Sequence, residues 1–136
     1  PPRRPPTTRQ SADHSLPYIL AKTLLKAAEA GSSSVPGWES LMLLPEDYTD
    51  ACIRDPAVAA LIDRIVIAHG GPDYDRLYPD GIPTRVVIEH ESLGLLDGGL
   101  VQYPLGHAKS DPAGTAAVVA LKFDRLVAGA VRDPAA

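Results

Sequence analysis

Two short runs in this chain carry side chains that could do acid–base chemistry. The first is Asp13-His14-Ser15, followed by Leu16-Pro17-Tyr18. An imidazole flanked by a carboxylate can serve as a general base, because the carboxylate orients the ring and favours its charged form. Ser15 and Tyr18 would add donors for a substrate carboxylate, at a helix start whose free amides favour anions. The competing reading is structural: Asp13 and Ser15 cap a helix while His14 bonds to neighbouring backbone. The second run is Tyr103 with Gly106-His107 and Lys109. Here His107 and Lys109 could reach a ligand at the mouth of the domain and Tyr103 could donate to it. A surface turn would carry the same residues without any chemistry.

Other chemistries find little support. His69 and His90 lie in or beside extended runs without ligand spacing, and Cys52 is the single cysteine, so neither a metal site nor an internal disulfide is expected. The lone thiol suits a reducing, cytoplasmic setting. A net charge of −4 and a pI near 5.5 offer no basic field for nucleic acid. The apolar stretches are far shorter than the roughly 20 residues needed to cross a bilayer. No secretory signal is read, and a first residue that is Pro1 rather than Met leaves room for residues ahead of it.

The elements that must position these side chains can be read from periodicity. With 136 residues, 45% apolar and 22% charged, the chain suits one soluble domain. Residues 1–10, rich in Pro and Arg, read as a flexible lead-in, residues 11–128 as one domain, and residues 129–136 as a tail. Leu16, Ile19, Leu20, Thr23, Leu24, Ala27 and Ala28 recur at helical spacing, and Pro17 is tolerated only in a first turn. A helix is therefore expected from near Asp13–Ser15 to the glycine at 31, with Ser11, Asp13 and Ser15 as possible caps.

From Gly31 to Asp50 no firm element is assigned; Trp38 with Leu41 to Leu44 fits either an exposed docking patch or core. A second helix is expected to start at Asp55-Pro56, with Val58, Leu61, Ile62 and Ile65 on one face, and to run straight into a strand over Ile65–Ala68. Thr84–Glu91 and Leu100–Tyr103 are expected to pair antiparallel around an Asp97-Gly98-Gly99 turn, with Val86 and Ile88 facing the core. Asp111-Pro112 starts a last helix to about Val127, with Ala116, Val119, Ala120, Phe123 and Val127 as its apolar stripe. Strands segregated from helices imply an α+β fold with an antiparallel sheet packed against helices.

The run Thr8-Arg9 with Ala12-Asp13-His14-Ser15-Leu16-Pro17-Tyr18 resembles the helix-opening signature of the MmgE/PrpD family, the family of 2-methylcitrate dehydratase. Further matches follow in order: Arg54-Asp55-Pro56-Ala57-Val58, Asp73, Leu77-Tyr78-Pro79, Pro83, Tyr103-Pro104 and Gly106-His107. The resemblance spans Thr8 to about Leu126 and implies the small, lid-like α+β domain of these enzymes. In the family this domain closes over a helical domain and works without a cofactor on small polycarboxylates. Pro104-Leu105-Gly106 stands where the family commonly has Pro-Lys-Gly, and Leu93, Leu95 and Leu96 precede the Asp-Gly signal in place of charges.

What this resemblance implies is a lid domain of a cofactor-independent lyase or isomerase acting on a small carboxylic acid. Its catalytic pair would be His14 and Asp13, with Ser15, Tyr18, Tyr103, His107 and Lys109 binding substrate. The family's helical domain is not in the sequence, and the four lysines all fall on expected helices or a surface turn. A separate helical-domain chain or a homo-oligomer is thus the expected partner. The alternatives are a stand-alone cyclase or isomerase for a larger apolar metabolite, or a binding module without catalysis.

Overall fold

A computed structural model of the chain describes residues 5–30 and 37–130. The first lead-in residues, the serine-rich turn after the first long helix and most of the expected tail lie outside them. The chain divides into two compact units, Pro1–Ile67 and Ala68–Ala136, which are described separately.

The first unit is helical. Thr8 caps a five-residue helix, α1 (Arg9–Asp13), through a reciprocal pair of bonds with Ser11. The helix begins inside the stretch expected to lead in, because Thr8 and Ser11 stand three apart, as such a cap requires. Ser15 then caps α2 (Leu16–Glu29), with Pro17 in its first turn. Three short turns follow: α3 (Trp38–Leu41), a 3-10 turn over Pro45–Tyr48, and α4 (Asp50–Ile53). Asp55 caps α5 (Pro56–Arg64) by accepting from the Ala57 amide at 2.8 Å.

The core of this unit is Ala12, Tyr18, Ala21, Ile53, Val58 and Ile62, with Leu25, Tyr48, Leu61 and Ile65 packed against it. The inward face of α5 is the one its spacing predicts. In α2 the buried face turns out to be Tyr18, Ala21 and Lys22, while Leu16 and Leu24 are exposed. The cause is Asp47, itself buried. Its carboxylate accepts from Lys26 Nζ at 2.7 Å and from the Leu44 amide at 2.9 Å, and Lys22 Nζ lies 4.0 Å away. The Tyr18 hydroxyl donates to the Asp47 carbonyl at 2.6 Å. A buried carboxylate is costly unless charges and donors surround it, so α2 turns its lysine face inward to supply them.

The second unit holds α6 (Gly71–Leu77), β1 (Thr84–His90), β2 (Gly94–Val101) and α7 (Pro112–Ala130). Together with the helices of the first unit, the antiparallel β1–β2 pair gives the α+β class. Asp111 starts α7 by accepting from the Ala113 and Gly114 amides. Two expectations are corrected. Ile65–Ala68 forms no strand: β1 and β2 pair with each other, and Val66 is exposed. The hairpin also turns at 91–93, not at Asp97-Gly98-Gly99, so its second strand is Gly94–Val101 and not the expected Leu100–Tyr103. Val86 faces the two residues Gly98 and Gly99 across the sheet, between the pairs Arg85↔Leu100 and Val87↔Asp97. This is a bulge, and Gly99 supplies its positive φ of 75°. An Asp-Gly-Gly run satisfies a bulge as well as a turn, since both need a left-handed residue.

Arg85 Nε donates to Asp97 Oδ1 at 2.9 Å, and the second guanidinium nitrogen pairs with Oδ2. The arginine first, and the Gly99 amide next, draw the Asp97 carboxyl down to about 2.

Val86, expected to face the core with Ile88, is instead 40% exposed; Val87 on the other face is 45% exposed, and Ile88 is half-buried, because no element of this unit covers the hairpin among the described residues. The α7 stripe is also open, with Val119 and Phe123 at 61% and 65%. Among the described residues of this unit only Gly81 and Pro83 are buried.

In urea, Asp47→Ala is expected to lower stability by about 3 kcal/mol, by stripping two lysines of their shared partner. Tyr18→Phe should cost about 1 kcal/mol, the value of one hydrogen bond. Val86→Asp, which a buried valine would not tolerate, should cost no more than about 1 kcal/mol at so open a site. The Asp97 contribution should be present above the ordinary value of 3.8 and lost as pH falls towards about 2, because the folded state holds the carboxylate ionised. Hairpin amide signals followed through that window, with Arg85→Ala as control, test it.

Candidate functional site

The two runs form two separate groups, one in each unit. In the first unit His14 ends α1 and precedes the cap of α2, so its position follows from two helix boundaries. Its Nδ1 contacts the Asp13 carboxylate and lies 3.1 Å from the Gln10 carbonyl oxygen. A carbonyl can only accept, so Nδ1 carries the proton, and in the neutral ring Nε2 is left with its lone pair. The imidazole is 86% exposed. The bond to Asp13, then that to Gln10, raises its pKa above the ordinary 6.5. This is the arrangement of a base oriented by a carboxylate.

Ser15 spends its hydroxyl on the cap, accepting from the Tyr18 amide at 3.4 Å. Tyr18 is fully buried, and burial pushes its hydroxyl up to about 12. Sequence reasoning passed over Tyr48, which stacks against Tyr18 with ring centres 5.7 Å apart. Burial first, and the Asp13 carboxylate second, raise the Tyr48 hydroxyl above 10.

In the second unit Tyr103, His107 and Lys109 come together in the loop between β2 and α7. The imidazole stacks on the Tyr103 ring with centroids 5.1 Å apart, and Lys109 Nζ sits 5.7 Å above that ring. His107 Nδ1 accepts from the Lys109 amide at 3.1 Å, so its proton lies on Nε2 and that edge is a donor. The Tyr103 oxygen accepts from Gln102 Nε2 at 2.9 Å and keeps its own hydrogen to give. Lys109 Nζ lies 3.7 Å from Asp80 Oδ2. The group therefore presents three kinds of donor beside one carboxylate.

The loop at 78–83 supports this group. The Ile82 amide donates to the Gln102 carbonyl at 3.1 Å, which brings Gly81 against Tyr103. A Cβ on Gly81 would stand 3.2 Å from the tyrosine ring and 3.4 Å from the Gln102 carbonyl oxygen, so any side chain there would press the Tyr103 ring outward by a few tenths of an ångström. The Thr115 hydroxyl holds the other side by accepting from the Gly106 amide at 3.2 Å. Asp80, Gly81 and Thr115 had no signal in the local sequence, because a long-range fold of the loop delivers them.

No group of three metal-ligating side chains occurs among the described residues, and none of their helices is long and apolar enough to cross a membrane.

The helices of the first unit and the antiparallel hairpin of the second give an α+β class of fold. The chain belongs to the MmgE/PrpD family: the family model of the MmgE/PrpD C-terminal domain matches residues 40–136. That stretch contains the Arg54–Val58, Leu77–Pro79 and Tyr103–His107 motifs, whereas the Asp13-His14-Ser15 run precedes it. Comparison with curated proteins and with solved structures gives no significant match.

NMR titration of His14 is expected to give a pKa above 6.5, and Asp13→Asn should lower it. The bonds favour the folded, protonated ring, so their stabilisation is complete below 6.5 and lost as pH rises through the folded value. A His14 value at or below 6.5, unmoved by Asp13→Asn, would refute the pairing.

Proposed function

We propose that this chain is the lid domain of an MmgE/PrpD-type lyase or isomerase that acts on a small carboxylic acid in the cytoplasm without a cofactor. The observation that carries this reading is the donor cluster of Tyr103, His107 and Lys109. A phenol hydroxyl, an Nε2–H and an ammonium group suit a substrate carboxylate, and they can stabilise charge that develops beside it. None of the three suits proton abstraction at carbon, because His107 commits its lone pair to the Lys109 amide. His14, with Nε2 unprotonated in the neutral ring, is the candidate base, Asp13 its orienting group, and Ser15 and Tyr18 shape the helix start behind it. A helical-domain chain, or a second copy of this one, supplies the remaining charges and covers the open apolar faces of the hairpin and α7.

The alternative of a stand-alone cyclase or isomerase for a larger apolar metabolite draws on Leu93, Leu95 and Leu96, all exposed on the hairpin. Beside them lies an open depression lined by Glu89, His90, Glu91, Gly94 and Leu95. A non-catalytic binding module would use the same donor cluster without a base.

The purified chain alone is expected neither to dehydrate 2-methylcitrate nor to decarboxylate cis-aconitate. Adding a helical-domain polypeptide encoded beside it should restore turnover. In that complex His14→Ala should abolish kcat, while Tyr103→Phe should raise KM about fivefold, the loss expected for one hydrogen bond. Turnover by the chain alone, or full activity of the complemented His14→Ala variant, would contradict the reading.

A further inference from the structure

The charge pattern of β1 is complementary to itself. Along Thr84–His90 the charged side chains Arg85 and Glu89 stand symmetrically about Val87. By strand alternation they share one face with Val87, while Val86 and Ile88 share the other. Set antiparallel against a second copy with Val87 opposite Val87, the strand places Arg85 opposite Glu89 and Val86 opposite Ile88. The two-fold axis repeats both pairs. A slip of two residues in either direction sets Arg85 or Glu89 against Val87, and a parallel pairing in register sets like charge on like. The pattern therefore selects one arrangement.

Among the described residues β1 and β2 form a two-stranded sheet, so each strand has one side without a ladder partner. β2 is the poorer template, because the bulge at Gly98 and Gly99 bends it and interrupts its ladder. β1 has no extra residue at that bulge and no proline or lysine, the usual devices that blunt an edge. Val86 and Val87 are exposed on it. Arg85 spends Nε and one terminal nitrogen on Asp97 and keeps the hydrogens of the other. We propose that the chain self-associates through β1, two copies joining their hairpins into a four-stranded antiparallel sheet. In it Arg85 bridges its own Asp97 and Glu89 of the second copy, and Val86 and Ile88 of both copies form one apolar stripe. A hairpin that is marginal as two strands gains the width a stable sheet needs. The pairing is independent of the reaction assigned above.

One short edge makes an interface below the standard size of about 1,600 Å², so the dimer should be weak, with a Kd on the order of 100 µM. Well below that concentration the hairpin stays open. The test is sedimentation equilibrium of the full chain, from about tenfold below that value to about tenfold above it. Glu89→Lys sets a lysine against Arg85 at both symmetric pairs and should raise Kd at least about tenfold, as should Arg85→Glu. Mixed in equal amounts, the two variants regain opposite charges at both pairs and should associate more tightly than either does alone. Because Arg85→Glu also breaks the bond to Asp97, a second measurement uses no variant. Isotope-filtered NMR of labelled and unlabelled chain at high concentration should show contacts between Val86 methyls of one copy and Ile88 of the other. A chain that stays monomeric throughout leaves the edge to a different partner and overturns the proposal. So does a dimer that is indifferent to Glu89→Lys, or one that lacks the Val86–Ile88 contacts.

Discussion

Among the described residues, the buried apolar core consists of side chains from Ala12 to Ile62, and this uneven burial governs the rest of the structure. The first unit closes a core of its own and can also bury Asp47, because Lys22, Lys26 and the Leu44 amide answer its charge. Among its described residues the second unit has no such centre. A two-stranded hairpin is marginal by itself in water, and here valines and leucines on both faces stay open. What holds it together is local: the Arg85–Asp97 pair, the capped start of α7, and backbone amides answered by histidine side chains. Such a unit is suited to closing against another surface, as a lid must.

The same division separates the chemistry. Local bonds fix the tautomer of each histidine, and the tautomer decides what each can do. His14 keeps a lone pair at Nε2 because the Gln10 carbonyl claims its other proton, so it has the form of a base. His107 has the reverse arrangement and can only give. The donors after β2 and the imidazole at the start of α2 are therefore chemically distinct, one group giving hydrogens and the other offering a lone pair.

Where the sequence carried an explicit cap, the elements were legible in it. Ser15 with Pro17, Asp55 with Pro56, and Asp111 with Pro112 each open a helix where their chemistry requires. Apolar periodicity was a poorer guide, because it reports which face could be buried and not what is present to bury it. Thus α5 turns its expected face inward, α2 rotates towards Asp47, and the α7 stripe lies open. Ile65–Ala68 has strand-like residues but enters no sheet, and Asp97-Gly98-Gly99 marks left-handed backbone without saying whether a turn or a bulge uses it. Tyr103, His107 and Lys109 were legible as a group because they are near one another in sequence. Asp80 and Gly81, brought in by the loop at 78–83, were not.

Residue-resolved hydrogen exchange on the intact chain, alone and then with a helical-domain partner, tests the central claim that the second unit has no core of its own. For the chain alone, the account predicts strong protection in α2 and α5 and weak protection in the hairpin and α7, which rises when the partner binds. If α7 and the hairpin are as well protected as α2 without any partner, the second unit is self-sufficient and the account of this chain as a lid awaiting its other half is wrong.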